Sequence, residues 1–296
     1  MDELPPPDAP IGVFDSGVGG LTVLAALRAR LPQEHYLYLG DTARLPYGTK
    51  SGATVVRYAL QAADALVVRG IKALVVACNT ASAVALPAIA ARHAGLPVIG
   101  VVEPGAEAAC AATRRGHVAV IATEGTIRGG AYQQAIHRLR PEVRVEGLAC
   151  AMFVALAEEG WNEGVVATAI AHRYLDPLFG PLPVGGVEGR SRPDVLVLGC
   201  THFPLLVGVL REVVGGEVRI VDSAATTAAA VERRLAAAAM GTGPLRSSAD
   251  VARRAEPHRA GQVRFLATDG AERFARVGAS FLGMPITAAQ VELVDL

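Results

Sequence analysis

Short runs rich in Val, Ile and Leu recur along the chain at 11–14, 36–39, 73–77, 98–102, 117–122, 143–148, 195–199 and 218–221, separated by longer Ala-rich stretches. Brief apolar runs alternating with helical stretches predict βαβ units and a mostly parallel sheet. The runs ALVVA at 73–77 and VLVLG at 195–199 lack the polar alternation of a half-exposed strand. Strands covered on both faces read this way, so the expected fold is α/β with helices flanking each sheet.

In open parallel sheets, ligands sit beyond the carboxyl ends of the strands. The first run leads into Asp15-Ser16-Gly17-Val18-Gly19-Gly20, the third into Cys78-Asn79-Thr80, and the run at 195–199 into Cys200-Thr201-His202. The flanks of the two cysteines match, and the run at 117–122 enters Thr123-Glu124-Gly125-Thr126 much as the first run enters Asp15. An internal duplication explains both pairings. Two similar lobes are expected, related by a pseudo-two-fold axis, each presenting one cysteine to the cleft between them. The first lobe is assigned residues 1–102 plus 212–296 and the second 103–211. On this division the run at 218–221 and a helix over 224–240 return to the first lobe. The stretches 179–189 and 191–193 read as loop, 241–262 as a flexible polar segment, and 263–267 as a last strand.

Composition narrows the class of partner. The 296 residues suit two domains, and 28 basic against 28 acidic residues provide no nucleic-acid footprint and no polybasic membrane surface. A small-molecule substrate is expected. No apolar run reaches the roughly 18 residues of a membrane helix, and the acidic, Pro-rich start is unlike a secretory leader, so a cytoplasmic location is expected. Cys78, Cys110, Cys150 and Cys200 are too few and too scattered for a disulfide framework, and no C-x-x-C pair suggests a metal. They read as free thiols.

Two thiols at strand ends have a specific chemical use. One base cannot invert a carbon centre without moving, whereas a thiolate on one face and a thiol on the other remove a proton and return one in a single passage. A free thiol with a pKa of about 8.5 needs a nearby base or a favourable field to act at neutral pH. Asp15 beside Cys78 and His202 beside Cys200 are the candidates. Each residue also has a plainer reading: Cys78 and Cys200 as packing, Asp15 and Ser16 as a helix cap, His202 as a structural histidine, Tyr47 as a turn residue. The repeated context favours function for the cysteines, and Cys110 and Cys150 keep the packing role.

Four segments carry a resemblance: 12–23 (GVFDSGVGGLTV), 40–48 (GDTARLPYG), 77–81 (ACNTA) and 198–205 (LGCTHFPL). Together, and in this order, they resemble the signature segments of bacterial glutamate racemases, and the likeness spans nearly the whole chain. The resemblance implies that Cys78 and Cys200 are the paired acid and base, and that no pyridoxal phosphate, other cofactor or metal takes part. It implies a pocket lined by Asp15, Ser16, Tyr47, Gly48, Asn79, Thr80, Thr201 and His202, in which Asp15 and His202 assist the thiols. Glu158 matches an acidic position that assists the second cysteine, although Glu158-Glu159 reads equally as a solvated helix face. Glutamate is then the substrate, D-glutamate for peptidoglycan synthesis the product, and a homodimer the expected assembly. Gly129, Ala151 and Ala155 depart from the family's usual serine and prolines. A racemase for aspartate, a one-cysteine decarboxylase of the same fold, a two-lobed binding protein and a thiol redox protein are the alternatives.

Overall fold

The computed structural model describes residue 6 and residues 8–180, 192–238 and 261–296. The chain runs through β1 (Ile11–Asp15), α1 (Leu21–Arg30), β2 (Tyr36–Gly40), α2 (Gly52–Val67), β3 (Ala73–Val76), α3 (Asn79–Val84), α4 (Leu86–Arg92) and β4 (Val98–Gly100). It continues through α5 (Val102–Ala112), β5 (His117–Ala122), α6 (Glu124–Gly129), α7 (Ala131–Leu139), β6 (Arg144–Ala149), α8 (Ala151–Glu159), α9 (Gly164–Phe179) and β7 (Val195–Gly199). The last elements are α10 (Val207–Val214), β8 (Arg219–Asp222), α11 (Ser223–Ala237), β9 (Val263–Ala267), α12 (Ala271–Leu282) and β10 (Val291–Leu293).

These strands form two parallel sheets, ordered β10-β9-β2-β1-β3-β4 and β6-β5-β7-β8. Every residue of β1, β3, β5 and β7 is buried, which accounts for their unbroken apolar sequences. The two sheets share one topology: β2-β1-β3-β4 in the first corresponds to β6-β5-β7-β8 in the second. Register sharpens the match. Phe14 pairs with Val76 and Ala122 with Gly199, so Ser16 comes level with Cys78 and Thr123 with Cys200 as the chain leaves each sheet.

That correspondence corrects one boundary. The strand expected to return to the first lobe, β8, pairs with β7 through Val195↔Arg219 to Leu198↔Asp222 and completes the second sheet, as β4 completes the first. The second lobe therefore extends past residue 211. Without β8, the outer edge of β7 would expose unpaired backbone groups. The helix that follows does pack on the first lobe: Ala224, Ala228, Val231 and Leu235 of α11 join the core formed with Leu24 and Leu27 of α1. β9 adds to the free edge of β2 and β10 to β9, with α12 packed on the same core. The run read as 98–102 divides, with β4 ending at Gly100 and α5 opening at Val102; Pro104 in the first turn of α5 costs the helix no internal hydrogen bond. The expected flexible stretch at 241–262 lies, but for its last two residues, outside the described residues, as does most of the loop at 179–193.

Candidate active site

The carboxyl ends of both sheets meet at a cavity of about 200 Å³. Ser16, Tyr47, Gly48, Asn79, Thr80 and Cys78 line it from the first lobe, and Cys200, Thr201, His202 and Glu158 from the second. The two cysteines thus reach one cavity from different sheets. Each is only 5% exposed.

The thiols have unlike surroundings. Cys78 donates to Ser16 Oγ at 3.5 Å and accepts from the Ala81 backbone N–H at 3.5 Å. Burial first, and then the negative charge of Asp15, push its thiol up to about 12. Asp15 itself is buried behind the cavity wall rather than lining it. One oxygen accepts from the Gly17 N–H at 2.9 Å, and Oδ1 has no hydrogen-bond partner among the described residues. Burial raises its pKa above the ordinary carboxylate value, against the opposing charge of His202.

Cys200 stands 3.8 Å from His202 Nδ1, while His202 Nε2 meets Glu158 Oε1 at 3.1 Å. Burial alone would strip the imidazole of its proton. The acceptors Cys200 and Glu158, with the charge of Asp15, outweigh burial and hold His202 up at about 10. Glu158 is held below the usual carboxylate range, first by the His202 hydrogen bond and then, against its burial, by the charges of His202 and Arg273. Of the pair Glu158-Glu159, the first turns inward and the second is exposed. One thiol therefore neighbours a carboxylate and the other an imidazolium, an asymmetry laid over a symmetric backbone.

Two seams join the lobes at this level. Thr22 donates to the Thr201 carbonyl at 2.9 Å, and a Cβ at Gly19 would lie 2.3 Å from Thr201 Oγ1 and 2.5 Å from His202 Nδ1, so only glycine allows this approach. At the other seam Thr80 shares hydroxyl contacts with Thr123 at 3.0 Å and Thr126 at 3.3 Å, and a Cβ at Gly48 would lie 2.8 Å from Thr123. Asn79 donates to the hydroxyl of the buried Tyr132 at 2.8 Å, and its Oδ1 has no partner among the described residues. Tyr47 lines the cavity, and its hydroxyl donates to the buried Asp41.

Sequence reasoning missed Thr123, Thr126, Tyr132 and Arg273. The first two lie in the junction that matches the Asp15 segment, and that equivalence was the available signal. Tyr132 and Arg273 arrive on helices distant in sequence, with no local motif to mark them.

Two parallel α/β lobes that close a thiol from each side onto one small cavity define a class, and the chain belongs to the Asp/Glu/Hydantoin racemase family, whose sequence profile matches residues 21–231. Within that class its likeness is to glutamate racemases. It is 50% identical over 273 residues to the glutamate racemase of Geobacter metallireducens, covering 92% of each chain, and 47% identical over 294 residues to that of Koribacter versatilis, covering 97% of each. The crystal structure of glutamate racemase from Francisella tularensis in complex with D-glutamate superimposes with a TM-score of 0.82 at 31% identity, over 98% of both chains.

Proposed function

We infer that the chain interconverts L- and D-glutamate, with Cys78 and Cys200 as the two proton-transfer groups. The observation that carries the reading is the convergence of both thiols on one cavity from equivalent strand ends of two lobes. The likeness to glutamate racemases over nearly the whole chain supports glutamate as the substrate.

The electrostatic asymmetry supports a division of labour before substrate binds. Cys78, with its raised pKa, holds its proton and serves as the acid. Cys200, with His202 Nδ1 at 3.8 Å as its proton-exchange partner, serves as the base. Abstraction by Cys200 on one face and donation by Cys78 on the other inverts the α-carbon. For the opposite enantiomer the protons run in reverse: His202 returns a proton to Cys200, and Asp15, whose charge acts on Cys78 and whose Oδ1 has no hydrogen-bond partner among the described residues, takes one from Cys78. Among the described residues no arginine or lysine lines the cavity. The substrate carboxylates are therefore held by neutral donors, among them the hydroxyls of Ser16, Thr80, Thr123 and Thr201, and charge developing on the α-carboxylate is stabilised by the same donors. The α-ammonium is expected to be met by Asn79, a lining residue whose Oδ1 has no hydrogen-bond partner among the described residues. No helix among the described residues is long and apolar enough to cross a membrane. A cytoplasmic enzyme feeding D-glutamate to peptidoglycan synthesis completes the proposal.

Polarimetry on L-glutamate and L-aspartate in parallel tests the substrate: rotation decays with glutamate, and a faster decay with aspartate would reassign it. The pH profile tests the role of His202. Because the imidazolium is the working form and its pKa is raised, activity persists through neutrality and falls as pH rises through about 10. An alkaline limb between pH 6 and 7, the ordinary range of a free imidazole, would contradict that role. Gly19→Ala is expected to lower kcat/KM about 10²-fold by driving Thr201 and His202 off the Gly19 backbone, with melting temperature recorded to show that the protein remains folded. A rate within about twofold of the unsubstituted protein would contradict the close packing at this seam.

A further inference from the structure

The relay beside Cys200 does not end within its own lobe. Glu158 Oε2 receives Arg273 Nη2 at 2.6 Å, and Arg273 lies in the first turn of α12, which packs into the core of the first lobe. The same helix places Phe281 edge-on to the His202 ring, with centroids 5.0 Å apart and planes at 78°. One helix of the first lobe therefore touches the second lobe's histidine directly and reaches it again through Glu158.

Arg273 has no local reason to be where it is. A cation in the first turn of a helix opposes the positive end of the helix dipole. Its compensation is the ion pair across the lobe junction, made to a carboxylate whose side chain is only 19% exposed. The other groups facing these two side chains are accounted for: His202 meets Cys200, Thr201, Glu158 and the charge of Asp15, while Glu158 meets only His202 and Arg273 among the described residues. Of these, Arg273 and the buried Asp15 belong to neither the cavity lining nor the thiol pair; Asp15 acts on His202 through its charge, whereas Arg273 is in direct contact with Glu158.

We propose that Arg273 is a positioning residue for proton transfer at Cys200: it pins Glu158, Glu158 aligns His202, and His202 is thereby aimed at the Cys200 sulfur. The proposal rests on the two-thiol racemase reading. Its consequence falls on one side, since the contacts run from Arg273 through Glu158 and His202 to Cys200, while Cys78 meets the relay through the charge of Asp15 and not through a hydrogen bond of the relay. α12 thus makes the approach of the two lobes a condition for proton transfer at one face of the substrate only.

The test is Arg273→Gln, with Arg273→Lys as the charge-retaining control, assayed with D- and L-glutamate carrying α-deuterium. Arg273→Gln is expected to lower kcat/KM about three- to tenfold, between the value of an exposed pair and that of a charge-assisted hydrogen bond, with KM little changed because Arg273 does not line the cavity. Slowing transfer at Cys200 alone moves the two isotope effects on kcat/KM apart. The effect rises for the enantiomer that Cys200 deprotonates and falls for the one that Cys78 deprotonates, whose second step becomes limiting. Arg273→Lys restores both toward the original values. An unchanged rate in Arg273→Gln, or a loss in which the two isotope effects stay together, would overturn the proposal and leave Arg273 an ordinary surface ion pair. Failure of the unsubstituted protein to racemise or exchange glutamate would instead overturn the racemase reading, and this proposal with it.

Discussion

Cys78→Ser and Cys200→Ser should each lose glutamate racemisation by about 10²–10⁴-fold, the range contributed by a positioned acid or base. Serine keeps the shape of the side chain in these tight sites, 5% exposed in both cases, so folding is preserved while the acidity is lost. A hydroxyl at either position neither takes the α-proton nor returns it near neutral pH. The two variants also differ in a way that a one-base enzyme cannot reproduce. The surviving thiol still faces one side of the α-carbon, so each variant keeps α-proton exchange with solvent for one enantiomer only, and the two variants keep opposite enantiomers. Chiral chromatography and proton NMR in deuterated water read both outcomes. Full racemisation by either variant would remove that cysteine from the chemistry.

The largest expected effect on stability lies far from the cavity. Lys72, just before β3, forms an ion pair with Glu34, just before β2, and their side chains are 0% and 2% exposed. Lys72→Met removes the ammonium paired with the buried Glu34 carboxylate, and breaking such a buried pair costs about 3–5 kcal/mol. The site is at the amino ends of the strands and the cysteines are at the carboxyl ends. Urea denaturation is therefore expected to show the loss, while the folded variant keeps its kcat/KM. Replacing both partners, as Lys72→Met with Glu34→Leu, should recover much of the stability, because neither charge of the pair remains buried without the other. A single-variant loss below about 1 kcal/mol, the value of an exposed pair, would contradict this reading.

Strands buried on both faces announce themselves, and β1, β3, β5 and β7 were legible as short apolar runs. β10 was not, being three residues long with Glu292 and Leu293 exposed at the sheet edge. The lobe to which β8 belongs was misread for a different reason: an apolar run identifies a strand but not the edge it will pair with. Matching β8 to β4 through the internal repeat would have placed it correctly. At the site, the repeated flanks exposed Cys78 and Cys200, and adjacency along the chain exposed His202. The burial of Asp15 behind the wall, and the commitment of the Tyr47 hydroxyl to Asp41, depend on side-chain direction that spacing does not encode. Tyr132 and Arg273 reach the relay and the pocket only through packing between lobes, so no local pattern could have marked them.

On the two-thiol reading, one cysteine removes the α-proton of glutamate and the cysteine of the other lobe delivers a new one to the opposite face, without a cofactor. Incubating the purified protein with L-glutamate in deuterated water, with nothing added, tests it most directly. The account predicts that optical rotation decays to zero while deuterium enters the α-position, at first in the newly formed D-enantiomer. Constant rotation with no α-deuterium would contradict it.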